Sequence, residues 1–303
     1  MEAVVYEEFG GPEVLQTRVI DEPHAGPGEV RITVRAAGVN PFDYKLWHGY
    51  LQPNLPASLP ATPGFEVSGV VDEIGEGVTG FAIGDEVVGW SKTGGYAQFA
   101  VTATIAKKPA NLSFEEAVAL PVAGETSARA LRELGVKDGE TLLVHGAAGG
   151  VGAVGVQLAL ALGATVIGTA SEANHEYLRS LGVIPVLYGE GLVDRVRAVA
   201  PQGIDAVYDV AGKGALPDSI ELRGGTERIV TVADMTAAEH GIPFSQGTGD
   251  PVQQAADLAA QLQQAVDGNL KLKVAETFPL AEVTKAAEIS ESGHVNGKLV
   301  LKP

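Results

Sequence analysis

At 303 residues the chain is long enough for one or two domains with real cores, and its formal net charge of −17 argues against a nucleic-acid partner, which calls for clustered Lys and Arg. There is no cysteine, so disulfides, thiol nucleophiles and thiolate metal sites are excluded. The longest charge-free run, Thr141 to Ser171, is broken by glycines and is therefore no membrane span.

The chain opens in strand-like Ala3-Val4-Val5-Tyr6, which is read as leaving no room for a signal peptide, and the expected location is the cytoplasm. Residues 1 to about 110 are predicted to be β-rich. Val30 to Val34 alternates, Ser68 to Ile74 is apolar, and Glu86 to Trp90 is another short strand. Gly26-Pro27-Gly28, Gly75-Glu76-Gly77 and Gly84-Asp85 supply the turns between them, a spacing that suits a partly closed barrel or sandwich. Ser113-Phe114-Glu115-Glu116 matches a capping box and marks the first long helix and a domain boundary. Pro121 is expected to interrupt that helix, with Gly124-Glu125-Thr126 opening a second one that runs to about Leu134.

The most informative stretch follows. Leu142, Leu143 and Val144 form an apolar strand that empties into Gly146-Ala147-Ala148-Gly149-Gly150-Val151-Gly152. Gly150 to Leu162 then runs apolar and uncharged as a buried helix, and Ala164 to Ala170 is a second strand. Strand, glycine turn, helix and strand make the βαβ unit that binds dinucleotides, although alanine stands at the first position of the fingerprint Ala147-x-Gly149-x-x-Gly152. Unpaired helix N–H groups beside the positive end of the helix dipole suit a pyrophosphate. The alternation continues through helix Glu172 to Leu181, strand Pro185 to Tyr188, helix Leu192 to Val199, strand Ile204 to Val210, helix Ala215 to Leu222 and strand Arg228 to Val232. Such alternation predicts a parallel sheet with helices on both faces. Ile242-Pro243-Phe244 is expected as a short edge strand, Pro251 to Val266 as an amphipathic helix, and Lys298 to Leu301 as a strand that rejoins the first domain.

Four motifs then carry a resemblance. Ala36-Ala37-Gly38-Val39-Asn40-Pro41-Phe42-Asp43, Pro63-Gly64-Phe65-Glu66-Val67-Ser68-Gly69, Gly84-Asp85-Glu86-Val87 and the Ala147 to Gly152 turn come in the order found in the medium-chain dehydrogenases/reductases. The chain resembles their zinc-free quinone oxidoreductase (zeta-crystallin-like) branch over essentially its whole length. The resemblance implies an α/β protein: a Rossmann NADP-binding domain over 118–250, and a β-rich GroES-like catalytic domain over 1–117 to which residues 251–303 return. NADPH is then expected in the cleft between the domains, and a homodimer through the sheet edge near Ile242 to Phe244.

The zinc-bearing alcohol dehydrogenases of the family carry Cys where Asn40 stands and His where Phe65 stands. With both replaced, the expected metal set is none, because a catalytic zinc takes about three protein ligands. Alcohol oxidation loses its Lewis acid, and reduction of a quinone or an enone fits better. Asn40 is the expected carbonyl donor, Asp43 an orienting acceptor or an acid, and Tyr50, after Gly49, a proton donor by likeness to enoyl reductases of the family. His48 is read as a solvated loop histidine. Thr126 is expected to contact the nicotinamide. For the cofactor's adenosine end, Ala170 and Ser171 replace the acid that would hold a ribose 2′-OH, which favours NADPH. His175 and Tyr188 stand where relatives bind the 2′-phosphate, yet no Arg or Lys lies between Ser171 and Leu178. Val210, Ala211 and Ala233, at the ends of later strands, complete the expected cofactor contacts with Ala147, Ala148, Gly149, Gly150, Val151 and Gly152. The alternatives are an enoyl-thioester reductase, or a dinucleotide-binding protein without substantial turnover.

Overall fold

Alternation and turn glycines make the first hundred residues into sheet. The computed structural model describes residues 1–52, 55–56, 58–247 and 250–303. The strand-like start becomes β1 (Glu2–Val5), antiparallel to β2 (Gln16–Val19). The alternating Val30 stretch opens a ten-residue strand, β3 (Val30–Val39), with Val30, Ile32 and Val34 buried. α1 (Pro41–Trp47) follows at once, its first position taken by a proline whose missing N–H would have had no helical partner. β4 (Glu66–Ile74), β5 (Glu86–Trp90), β6 (Phe99–Thr102) and β7 (Thr104–Lys107) complete this run.

The capping box forms as expected, with Ser113 Oγ accepting from Glu116 N–H, but α2 (Phe114–Ala117) behind it is only four residues long. α3 (Pro121–Leu134) starts at Pro121 and not at Gly124. A proline lacks only an N–H that the first turn leaves unused, so here it begins a helix instead of breaking one. Thr126 consequently sits in the second turn of α3, not at a helix start.

The chain forms two compact units, Met1–Val122 with Asp250–Pro303, and Ala123–Gly249. In the second, strands and helices alternate: β8 (Thr141–His145), α4 (Gly150–Ala161), β9 (Thr165–Ala170), α5 (His175–Ser180), β10 (Ile184–Leu187), α6 (Leu192–Val199), β11 (Ala206–Asp209), α7 (Leu216–Arg223) and β12 (Ile229–Thr231). They build a parallel sheet in the order β10-β9-β8-β11-β12, the doubly wound arrangement whose order reverses beside the first strand. Strand periodicity divides the core in two. Leu142, Val144, Val166 and Tyr208 pack with Leu131 of α3, Val156 of α4 and Leu178 of α5. The intervening Leu143, Ile167, Val207 and Ile229 pack with Leu192 and Val196 of α6 and Leu216 of α7.

Two expectations change here. The helix predicted from Glu172 opens as a 3₁₀ turn, Glu172–Asn174, before α5. The predicted edge strand at Ile242 to Phe244 is only a parallel bridge between Phe244 and Thr231, since Pro243 has no N–H to offer a ladder.

α8 (Pro251–Val266), β13 (Val274–Pro279), α9 (Val283–Ser292) and β14 (Lys298–Lys302) return to the first unit. β14 pairs antiparallel with β3 inside the sheet β13-β14-β3-β4-β5-β7, and β6 pairs with β3 as well. Ile32, Trp47, Tyr96, Phe278 and Leu301 share its core. Among the described residues no helix is long and apolar enough to cross a membrane.

Candidate active site

The first unit gathers Asn40, Asp43, Glu66 and Lys298 in buried polar contacts where β3 meets α1. Glu66, first residue of β4, is fully buried, and Lys298, first residue of β14, is 4% exposed. Lys298 Nζ donates to Glu66 Oε1 at 2.5 Å and to Asn40 Oδ1 at 2.8 Å. Asn40 Nδ2 donates to the same Glu66 Oε1 at 2.7 Å, and the N–H of Val122, in the first turn of α3, donates to Oε2 at 2.8 Å. The carboxylate thus meets an ammonium, an amide and the positive end of a helix, which together offset its desolvation.

Asp43 lies one turn into α1 and is also completely buried. Its Oδ2 accepts from Asn40 N–H at 2.8 Å and from Tyr96 Oη at 2.7 Å. Burial pushes its carboxyl up to about 7, against the two hydrogen bonds, which pull the value down. This is the place of a group that caps α1 and holds Tyr96. The acid role read for Asp43 does not suit it, because a fully enclosed carboxyl meets no outside atom. Asn40, 3% exposed, has its carbonyl and one amide hydrogen engaged by Lys298 and Glu66. The site residues expected from sequence included none of Glu66, Lys298 and Tyr96; the one signal for Lys298 was a lysine beginning an otherwise apolar strand.

Tyr50 follows α1 and is 64% exposed, with its ring stacked on His48 at 4.7 Å between centroids. His48 is not the solvated histidine expected: its Nε2 lies 3.0 Å from Glu291 Oε1 on α9. That contact braces the loop from which the Tyr50 hydroxyl projects. Phe65, just before Glu66, packs edge-on against Phe42 with centroids 4.8 Å apart.

In the second unit the glycine turn takes the form its sequence requires. Gly149 caps α4, and the first N–H groups of that helix, from Gly150 through Gly152, have no partner within it. Gly152 must be glycine, because a Cβ there would collide with the carbonyl of Gly146. Ala147 and Ala148 are buried beneath the turn, and Gly149, Gly150 and Val151 are partly open. At the end of β9, Ser171 Oγ accepts from Asn174 Nδ2 at 3.1 Å, and His175 Nε2 lies 3.3 Å from Ala170 O. β10 pairs Leu187 with Ala170, so Tyr188, 52% exposed, comes beside Ser171 in register.

A cation reaches this corner from well beyond the Ser171 to Leu178 stretch of chain. Arg195, on α6, donates from Nε to Leu187 O at 2.9 Å and from Nη2 to the carbonyls of Tyr188 and Gly189 at 3.3 and 3.0 Å. Val210, Ala211 and Ala233 occupy the loops after β11 and β12, where the doubly wound arrangement places ligands. Thr126 is half-buried on α3.

Comparison with known proteins agrees with this architecture. Residues 26–121 match the alcohol dehydrogenase GroES-like domain, and residues 181–301 match the zinc-binding dehydrogenase family. The chain is 34% identical to the quinone oxidoreductase of Homo sapiens over 326 aligned positions, covering 99% of this chain and 97% of that protein. It is 31% identical to the 2-methylene-furan-3-one reductase of Solanum lycopersicum over 321 positions, covering 100% of this chain and 79% of that protein. The Escherichia coli quinone oxidoreductase complexed with NADPH superposes with a TM-score of 0.89 at 27% identity, all of both chains being covered. A zinc ion, which one family name implies, does not fit the residues present. Phe65 has no donor atom, Asn40 and Glu66 are held by Lys298, and no group of three or more His, Asp or Glu among the described residues could ligate a metal. The chain belongs to the medium-chain dehydrogenases/reductases and is an oxidoreductase of the quinone oxidoreductase type.

Proposed function

We propose that this medium-chain dehydrogenase/reductase is an NADPH-dependent, metal-independent enzyme that reduces quinones or activated C=C bonds. The observation that carries the reading is the Lys298 ammonium, held by Glu66 and Asn40 beside Phe65. The two positions that zinc relatives give to a metal are here an amide, Asn40, hydrogen-bonded to the Glu66–Lys298 pair, and Phe65 in an aromatic contact. An alcohol substrate then has no Lewis acid to stabilise its alkoxide, whereas a conjugated carbonyl needs only hydrogen-bond donors.

NADPH, when bound, supplies the hydride. The α4 N-terminus and the turn from Ala147 to Gly152 hold its pyrophosphate. Ser171, His175 and Tyr188 offer polar atoms to a 2′-phosphate, and β9 ends without the acid that would repel one. Thr126, Val210, Ala211 and Ala233 contact the remainder of the cofactor. Asn40 keeps one amide hydrogen with which to steady a substrate oxygen, and Asp43 holds the Asn40 backbone in place. Tyr50, exposed and braced by His48, is the proton donor to carbon. A homodimer and a cytoplasmic location belong to the same proposal.

The test is a turnover screen with NADPH against quinones, enones and enoyl thioesters, before and after exhaustive chelation. Quinone or enone turnover that survives chelation is the expected result. Activity confined to thioesters would move the enzyme to acyl substrates. Cofactor binding without turnover on any acceptor would make the chain a dinucleotide-binding protein.

A further inference from the structure

Along the carboxyl edge of the five-stranded sheet, four neighbouring strands carry a polar side chain: Thr169 on β9, His145 on β8, Asp209 on β11 and Thr231 on β12. Asp209 lies opposite both His145 and Thr231 in register. All four are buried, in a sheet whose other inward positions are almost all apolar. A buried polar side chain costs stability unless it is hydrogen-bonded, so a row of them at one edge calls for a reason.

Their partners supply it. Asp209 Oδ1 accepts from the N–H groups of Ala211 and Gly212 at 3.0 and 3.1 Å. Thr231 Oγ1 donates to Asp209 Oδ2 at 2.7 Å and accepts from the N–H groups of Ala233 and Asp234 at 3.1 and 2.9 Å. One hydroxyl and one carboxylate thus fix the backbone of both loops and tie the loops to each other. The loops also abut directly: Gly212 has φ +59°, and a Cβ on it would lie 2.7 Å from the Ala233 carbonyl carbon. Thr169 treats the glycine turn in the same way, accepting from Gly146 N–H at 3.2 Å.

The strand order says which part of a ligand these loops would meet. In a doubly wound sheet the adenosine ribose sits at the end of the strand after the glycine turn, here β9, and the pyrophosphate at the helix N-terminus after β8. A dinucleotide crossing that reversal point continues over β11 and β12. We propose that Asp209 and Thr231 are positioning residues for the nicotinamide half of the cofactor, acting through the loops at Ala211 and Ala233. This rests on the NADPH reading above.

The experiment compares two probes, NADPH and adenosine 2′,5′-bisphosphate, which has the adenosine end alone. Dissociation constants are measured for the wild type and for Thr231→Val, Thr231→Ser and Asp209→Asn. Thr231→Val keeps the shape and removes the hydroxyl. It is expected to weaken NADPH on the order of tenfold, equivalent to about 1.4 kcal/mol, while leaving the half-cofactor unchanged. Thr231→Ser restores NADPH affinity. Asp209→Asn, which keeps an acceptor for Ala211 and Gly212, shows the same split at smaller size and serves if Thr231→Val does not fold. Equal weakening of both probes, or no change in either, overturns the inference. A wild type that binds neither probe overturns the cofactor reading beneath it.

Discussion

Lys298 reaches across 232 residues of chain to donate its ammonium to Glu66 Oε1. The contact joins the last strand of the first unit to the strand that follows Phe65, and both groups are out of water. A buried pair of this kind adds little over an apolar pair of equal shape, but removing one partner leaves the other charge uncompensated.

Lys298→Met is therefore expected to lower stability by about 3–5 kcal/mol, measured by urea unfolding. Adding Glu66→Gln should recover part of that loss, since the unpaired charge disappears while an acceptor for Asn40 remains. Two losses that simply add would mean that the residues do not interact.

Asp43 predicts a pH dependence. Burial raises its carboxyl from 3.8 to about 7, so between those values the folded chain binds a proton that the unfolded chain releases. Stability from this group is therefore fully present near pH 4 and is lost as pH rises through about 7. Asp43→Asn is neutral throughout and keeps a carbonyl for Asn40 N–H and Tyr96 Oη. Unfolding free energies from pH 5 to 8 should fall less steeply in the variant. Identical slopes would mean that Asp43 is ionised over the whole range.

The adenosine corner predicts a modest cofactor preference. Ser171, His175 and Tyr188 offer hydrogen bonds to a 2′-phosphate, while Arg195 is engaged by three backbone carbonyls. NADPH should exceed NADH in kcat/KM on the order of 10-fold, or about 1.4 kcal/mol. Parity, or a preference for NADH, would assign the ribose to Glu172 instead.

Tyr50 predicts a split between acceptors. Reduction of an enone to a ketone needs a proton at carbon, and reduction of a quinone does not. Tyr50→Phe keeps the stack on His48 and removes the hydroxyl. Enone turnover should fall by roughly 10²- to 10⁴-fold while quinone turnover changes little. Equal losses on both would make Tyr50 a binding group, and unchanged enone turnover would leave the proton to water.

What the sequence by itself determined is the part of the molecule set by short-range geometry. The strand from Leu142, the turn from Gly146 to Gly152 and the α4 helix were legible because glycine placement and an uncharged apolar run admit few other backbones. The parallel alternation to β12 followed from the same periodicity. Local signals were weaker where one residue suits two structures: Pro121 reads equally as a helix breaker and a helix start, and only packing chose the latter.

The polar clusters were decided by tertiary structure alone. Glu66 meets Lys298 because β14 pairs with β3, and β3 with β4; nothing within either segment names the other. Arg195 reaches the carbonyls after β10 because α6 folds back over that strand end. Asp209 and Thr231 look like two unremarkable strand-end residues until the parallel register of β11 and β12 sets them side by side. Hydrophobic periodicity sets which way a residue faces, and the partner a polar side chain finds there depends on which strands the whole sheet brings together.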